Sequence, residues 1–178
     1  MHWHISPLWL QHKQLPHKLP QLLLKISKTR DMLLPDADRL ASWRSFLTAH
    51  AAMNKLLTHA LEEEEGLQLP WFEILDALAM AEDKSLRFNE LAERVMANPS
   101  SLSRQIDRLE KKKLVAREKS VVDDGRATVL VLTPRGHDAW QTASATYYRI
   151  VRRVFTSWLT ETDVIALNRV FGKVLEAD

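Results

Sequence analysis

Apolar side chains recur every three or four residues through most of the chain beyond residue 35, which is the spacing of one face of an α-helix. The pattern predicts helices over residues 36–65, 71–81 and 133–159, and a last helix that opens with a capping box at residues 160–163. Asp36 is a suitable N-cap for the first helix, Gly66 ends it, and Pro70 stands in the first turn of the second. The chain is therefore predicted to be mainly α-helical.

Two shorter amphipathic segments lie in the middle of the chain and are separated by a tight turn at Ala97. The first, residues 87–96, is predicted to be a helix capped by Asn89. The second begins with Asn98 as N-cap and Pro99 in the first helical position, which is a strong start signal. Two short helices joined by a tight turn have the sequence form of a helix-turn-helix.

The helix over residues 98–113 has two unlike faces. Leu102, Ile106 and Leu109 share one edge at 100° per residue, so this edge is predicted to be buried. The opposite face and its flanks carry three serines, three basic residues and one acid: Ser100, Ser101, Ser103, Arg104, Asp107, Arg108 and Lys111. Small side chains allow close approach to base edges, and arginine pairs with guanine through two hydrogen bonds. An ordinary solvated helix face would also show this pattern.

The next segment predicts a β-hairpin. Two β-rich runs, residues 114–120 and 128–133, flank an Asp-Gly pair, which is a strong turn signal. Arg126 would lie at or beside the tip of this ribbon, where a guanidinium can enter the minor groove of DNA. Asp124 would form the turn, pair with Arg126 or Arg117, or do both. The fold class is thus mainly α with a small β-hairpin wing (α+β).

Charge and composition limit the classes of function that the chain can have. The net charge of the chain is only +2, but the segment between Asn98 and Arg126 contains eight basic and five acidic residues. The chain has no cysteine, which excludes disulfides, thiolate metal sites and cysteine nucleophiles. Its longest apolar runs fall well below the ~20 residues of a membrane span. We therefore expect a cytoplasmic protein without membrane partners.

The first 35 residues differ from the rest, because four of the seven prolines and four of the seven histidines lie there. This composition predicts a flexible arm rather than one continuous helix. His2 and His4 are close in sequence, but no second cluster at ligand spacing accompanies them, so no metal site is predicted. Translation from Met32, just before the first predicted helix, is a further expectation.

The stretch from Leu69 to Gly136 resembles the multiple antibiotic resistance regulator (MarR) family of winged-helix repressors. The resemblance lies in LPWFEILDAL, RFNELAERV, SSLSRQIDRLEKKKLVARE and DDGRATVLVLTPRG, in that order. The hairpin segment, with Asp124-x-Arg126 and then Leu132-Thr133-x-x-Gly136, is the most specific part.

The resemblance implies a homodimer that reads a palindromic site in double-stranded DNA. After the arm (1–35), which has no counterpart in the family, the resemblance implies a dimerisation helix (36–66), a winged helix-turn-helix DNA-binding domain (67–133) and C-terminal dimerisation helices (134–178). The apolar stripes of the terminal helices independently favour a dimer, since a small DNA-reading core cannot cover them. By position, the expected DNA contacts are Asn89, Ser100, Ser101, Ser103, Arg104, Arg108 and Arg126, with Asp124 steadying the wing.

The resemblance also implies release of DNA by a small aromatic or phenolic ligand. The candidate ligand residues are Trp43, His50, Asn54 and Trp71, which are aromatic or stand as polar members of an apolar stripe. For His50 the other interpretation is a hydrogen-bonded interface histidine, and for both tryptophans it is core packing. No cofactor is implied.

Two other functions compete with a DNA-binding regulator. An enzyme would need a nucleophile motif, a metal-binding spacing or a glycine-rich phosphate loop, and the chain shows none of these, with four glycines in all. A winged-helix protein-interaction module without specific DNA binding is favoured by Asp107, which repels phosphate unless it pairs with Arg104, Arg108 or Lys111.

Overall fold

The computed structural model describes residues 36–119 and 128–176. It shows six α-helices and three short β-strands over these residues, which confirms the mainly α fold class. In chain order the elements are α1 (Ala37–Glu65), α2 (Leu69–Ala79), β1 (Ser85–Arg87), α3 (Phe88–Arg94), α4 (Pro99–Lys111), β2 (Val115–Lys119), β3 (Thr128–Leu132), α5 (Pro134–Val154), a 3-10 turn (Thr156–Trp158) and α6 (Glu161–Glu176).

Short-range signals fix most helix ends where the sequence predicts them. The Asn98 side chain accepts a hydrogen bond from the Ser100 backbone N–H at 3.0 Å, and Thr133 Oγ1 accepts one from the Gly136 N–H at 2.9 Å. Gly66 follows α1 with a φ of +60°, the left-handed conformation that a helix end often requires. Local hydrogen bonds therefore fix the start of α4, which carries the predicted DNA-binding face, and the start of α5.

The penultimate helix is shorter than predicted. It ends at Val154 rather than near residue 159, and Phe155 leaves the helical region with φ −135° and ψ −69°. Val154, Phe155 and Thr156 are β-branched or aromatic and favour the helix less than straight-chain residues do. The indole N–H of Trp158 donates to the Arg153 carbonyl at 3.2 Å and so satisfies a group at the helix end.

The sheet has three strands instead of the two of a hairpin. Its order is β1-β3-β2, with both pairings antiparallel and with Leu86 opposite Leu130 and Val115 opposite Leu132. All four of these side chains are buried. Strand β1 keeps the chain extended up to Arg87. The N-cap of α3 is therefore Arg87, and the prediction of Asn89 as the cap is wrong.

The core of the compact unit Ser42–Trp158 forms around α2. Ile74, Leu75 and Leu78 are at most 1% exposed, and Leu102, Ile106 and Leu109 on α4 are fully buried, as predicted. Each such side chain contributes roughly 1.5 to 3 kcal/mol of transfer free energy. The opposite face of α4 is consequently held toward solvent.

The acidic end of α1 is attached to α5. Glu65 accepts a hydrogen bond from Thr146 Oγ1 at 2.6 Å, and Glu64 forms an ion pair with Arg149. These contacts compensate part of the unfavourable interaction between acids and a helix C-terminus.

The second compact unit contains the described terminal stretches 36–41 and 159–176. Its helix α6 opens with a reciprocal cap, in which the Thr160 N–H donates to Asp163 at 2.9 Å and the Asp163 N–H donates to Thr160 Oγ1 at 3.3 Å. This confirms the predicted capping box. None of the described helices has the length and hydropathy of a membrane span.

Candidate nucleic-acid interface

Helix α4 presents a cationic face. Its buried edge fixes the rotation of the helix, so Arg104, Arg108 and Lys111 are exposed. None of these three forms an ion pair with a residue that the structure describes. Among the described residues, no carboxylate neutralises these three charges.

The N-terminal turn of α4 carries the three serines of the predicted site. Ser100 is exposed and donates from Oγ to Asn98 Oδ1 at 2.7 Å. Ser101 is half-buried and accepts from Gln105 Nε2 at 3.3 Å, and Ser103 is also half-buried. Asn89 is exposed at the second position of α3. Small polar groups thus precede the cations along this face.

Asp107 pairs with a residue that the sequence did not single out as its partner. Its Oδ1 lies 2.6 Å from Nη2 of Arg117 on β2, whereas Arg104, Arg108 and Lys111 had been the expected partners. Nη1 of the same guanidinium binds Glu110. The hydrogen bond from Arg117 to Asp107, together with the negative charges of both acids, raises the pKa of Arg117 despite some desolvation. Both acids on α4 are therefore compensated from the strand.

Asp124 and Arg126 lie outside the described residues. The structure describes the two strands on either side of them in the sequence, up to the pair Lys119 and Thr128. We define the wing as β2, β3 and the connection between them. The antiparallel pairing of β2 with β3 confirms the two predicted β-rich runs.

Three of the four candidate ligand residues lie along α1. The Trp43 and Phe46 rings stack with centroids 5.7 Å apart, and the Phe46 and His50 rings with centroids 6.2 Å apart. The side-chain amide nitrogen of Asn54 lies 3.2 Å from His50 Nε2. Trp43 is 55% exposed, so core packing within this chain does not explain it.

Trp71 on α2 has a different environment. It is buried, and the ammonium group of Lys112 lies 5.5 Å from its ring centroid, at cation–π distance. Its indole N–H has no hydrogen-bond partner among the described residues. Core packing therefore accounts for most of its surface, and the indole N–H is the one polar atom that this packing leaves unsatisfied.

A partly buried polar contact between α2 and α5 was not predicted from the sequence. Asp76 accepts a hydrogen bond from the Trp140 indole N–H at 2.9 Å, beside the stacked pair Phe72 and Tyr147. Burial raises the pKa of Asp76, and the bond from Trp140 offsets part of that effect. The signal in the sequence is one acid between the apolar pairs Ile74-Leu75 and Ala77-Leu78.

We expect Asp76→Asn to stabilise the protein by roughly 1 kcal/mol at pH 7, because it keeps an acceptor for Trp140 and removes a partly buried charge. Since the folded pKa lies above the ordinary 3.8, the ionised form opposes folding at neutral pH, and protonation removes this effect as the pH falls toward 3.8. The stability difference between variant and wild type should thus shrink with acid.

Urea unfolding at several pH values measures this difference. Asp138→Asn, an exposed position on α5, is the matched control and should change stability by less than ~0.5 kcal/mol. A destabilised Asp76→Asn at pH 7 would show that the carboxylate itself, rather than any acceptor, is required by Trp140.

Together, a short helix, a cationic second helix with a free face and an antiparallel ribbon directly after it define a winged helix-turn-helix protein. The model of the MarR family matches residues 65–127. The chain belongs to the MarR family of DNA-binding transcriptional regulators.

Similar proteins agree with this membership. AbsC, a MarR family transcriptional regulator from Streptomyces coelicolor, is 31% identical, with a TM-score of 0.73 over 80% of this chain and 95% of its own. Sco3205 from the same organism, solved in complex with DNA, is 26% identical, with a TM-score of 0.74 over 80% and 89%. The transcriptional repressor MdtR of Bacillus subtilis is 27% identical over 84% of this chain and 90% of its own.

Proposed function

We propose that the protein is a homodimeric repressor that binds a palindromic operator and releases it when a small aromatic or phenolic ligand binds. The observation that carries the DNA-binding part is the face of α4, whose cations have no partner among the described residues. Sco3205, with the same fold and 26% identity, is a family member seen on DNA, and MdtR is a repressor. A DNA-bound regulator of this kind would act in the cytoplasm.

The dimer proposal rests on the terminal helices. On α6, Ile165 and Val174 are both 65% exposed, and none of its residues is buried. An apolar helix face of this kind is typical of a protein interface. We assign residues 36–66 and 134–178 to dimerisation and residues 67–133 to DNA binding, with the arm 1–35 outside both.

In the proposed complex α4 lies in the major groove. Arg104 and Arg108 contact bases and phosphates, the serines at 100, 101 and 103 allow close approach, and Asn89 donates to a phosphate. Arg126 enters the minor groove from the wing, steadied by Asp124. The two-fold axis of the dimer places the half-sites one helical turn, ~34 to 36 Å, apart.

We expect Arg126→Ala to weaken operator binding by ~1 to 3 kcal/mol and to leave the oligomeric state unchanged, because the residue acts at the DNA surface. Fluorescence anisotropy on a duplex selected from a random pool measures the affinity, and analytical ultracentrifugation measures the mass. A monomeric variant would place residue 126 in the dimer interface and contradict the proposed wing.

The ligand proposal rests on a row on α1 formed by the exposed Trp43 and His50 and the half-buried Asn54, to which we add Trp71 with its unsatisfied N–H. A row of aromatic and polar groups on a dimerisation helix can couple ligand binding to the spacing of the DNA-binding domains. A screen of aromatic acids for release of the selected duplex tests it, with His50→Ala and Trp43→Ala expected to abolish release but not DNA binding.

The alternative of an interaction module loses its main support. It rested on the uncompensated charge of Asp107, and this carboxylate is bound by Arg117.

A further inference from the structure

Arg117 occupies an unusual position in the winged helix-turn-helix. It lies on β2, yet its guanidinium binds two acids one helical turn apart on α4, with Nη2 on Asp107 at 2.6 Å and Nη1 on Glu110. The planar guanidinium suits this arrangement, because its two terminal nitrogens donate in parallel to separate carboxylates. The contact spans the turn at Lys113, whose φ of +60° redirects the chain from helix to strand.

The two acids would otherwise compete with DNA. Asp107 is three residues after Arg104 and four before Lys111, which are the spacings at which opposite charges pair along a helix. A carboxylate free to make those pairs would neutralise the cations that should meet phosphate and would itself repel the duplex. In the structure neither pair forms, because Asp107 is directed to Arg117.

We propose that Arg117 is a positioning residue for DNA binding, an internal counterion that holds Asp107 and Glu110 so that Arg104, Arg108 and Lys111 remain available to phosphates and bases. The inference rests on the proposed DNA-binding function of α4. It assigns Arg117 an electrostatic role exerted through α4, with no contact of its own to DNA.

The exposed fractions of Arg117 and its two partners distinguish a role in DNA binding from a role in folding stability. The Arg117 side chain is 34% exposed and its partners are 52% and 40% exposed, so water screens the pairs and they add little to folding stability. A variant that lacks the guanidinium should therefore unfold at nearly the same urea concentration as the wild type. Its DNA binding should nonetheless change.

The test uses the full chain on a duplex selected with the wild type, with affinity measured over a series of salt concentrations. Arg117→Gln should bind about 10-fold more weakly at low salt, and its salt slope should be shallower by ~0.9 for each phosphate that the variant no longer neutralises. Arg117→Gln combined with Asp107→Asn and Glu110→Gln removes the acids as well and should restore both affinity and slope. Lys119→Gln, an exposed cation on the same strand, is the matched control for loss of one charge.

Equal effects of Arg117→Gln and Lys119→Gln would overturn the inference, as would a triple variant that stays as weak as Arg117→Gln. These outcomes leave the proposed function intact, because the wild type still selects a duplex. A wild type that selects no sequence from the pool overturns the proposed function and this inference with it.

Discussion

Gly136→Ala is expected to lower the free energy of unfolding by about 3 kcal/mol or more, at the upper end of the cost of overpacking. A Cβ at this position would lie 1.9 Å from the Leu114 carbonyl oxygen and 2.9 Å from both the Leu114 carbonyl carbon and Leu132 Cδ1. The first two atoms are backbone and cannot move aside by a rotamer change. The start of α5 would have to shift away from the turn between α4 and β2.

The expected effect extends to DNA binding, because this contact joins three elements. Thr133 caps α5, and its Oγ1 also donates to the carbonyls of Lys113 at 2.8 Å and Leu114 at 3.1 Å. Displacing Gly136 would therefore disturb the end of α4 and the beginning of the wing together. The motif Leu132-Thr133-x-x-Gly136 thus has a structural explanation, in which Thr133 makes the link and Gly136 leaves room for it.

Urea unfolding at equal protein concentration measures the decrease in stability. Gly172→Ala is the matched control, since a Cβ there meets no atom within 4 Å, and helix propensity predicts a gain of up to ~1 kcal/mol. A Gly136→Ala variant within ~1 kcal/mol of the wild type would contradict the close approach of α5 to Leu114.

Replacing Arg104 and Arg108 together by alanine is expected to reduce operator affinity about 100-fold or more, since each contact is worth ~1 to 3 kcal/mol. Both side chains are exposed on the face opposite the fully buried Leu102, Ile106 and Leu109, so the fold should be retained. Loss of Arg104 should in addition relax base preference at one position of each half-site.

Binding to the selected duplex and to single-base variants of it measures both effects. The control removes two exposed arginines elsewhere, Arg44 on α1 and Arg152 on α5, and should reduce affinity by less than about 3-fold because it weakens only the long-range attraction. If the control and the α4 variant weaken binding equally, α4 is not the element that reads the DNA.

Much of the fold could be predicted because the deciding signals are local. Asn98-Pro99 and Thr133-Pro134 each combine a side-chain cap with a proline that needs no N–H, and the structure starts α4 and α5 there. Strand β1 could not be predicted, because three residues with one buried member make no period, and the strand exists only through its pairing with β3. The pairing of β1 with β3 also explains why the N-cap of α3 is Arg87 and not the predicted Asn89.

The cationic face could also be predicted, since helical periodicity places Arg104 and Arg108 opposite the buried edge. The partner of Asp107 could not, because Arg117 reaches it from a strand ten residues later through tertiary geometry. The hydrogen bond between Asp76 and Trp140 was not predicted either, because the two residues are 64 positions apart in the chain.

The most direct test of the central claim is selection of duplexes by the wild-type protein, followed by a salt titration of the best one. We predict inverted repeats whose half-sites are centred ~34 to 36 Å apart. Their affinity should fall with log salt at a slope of ~0.9 per neutralised phosphate, and randomising one half-site should weaken binding strongly. Equal affinity for the selected and the random duplex at moderate salt would contradict the assignment of α4 and the wing as a sequence-reading surface.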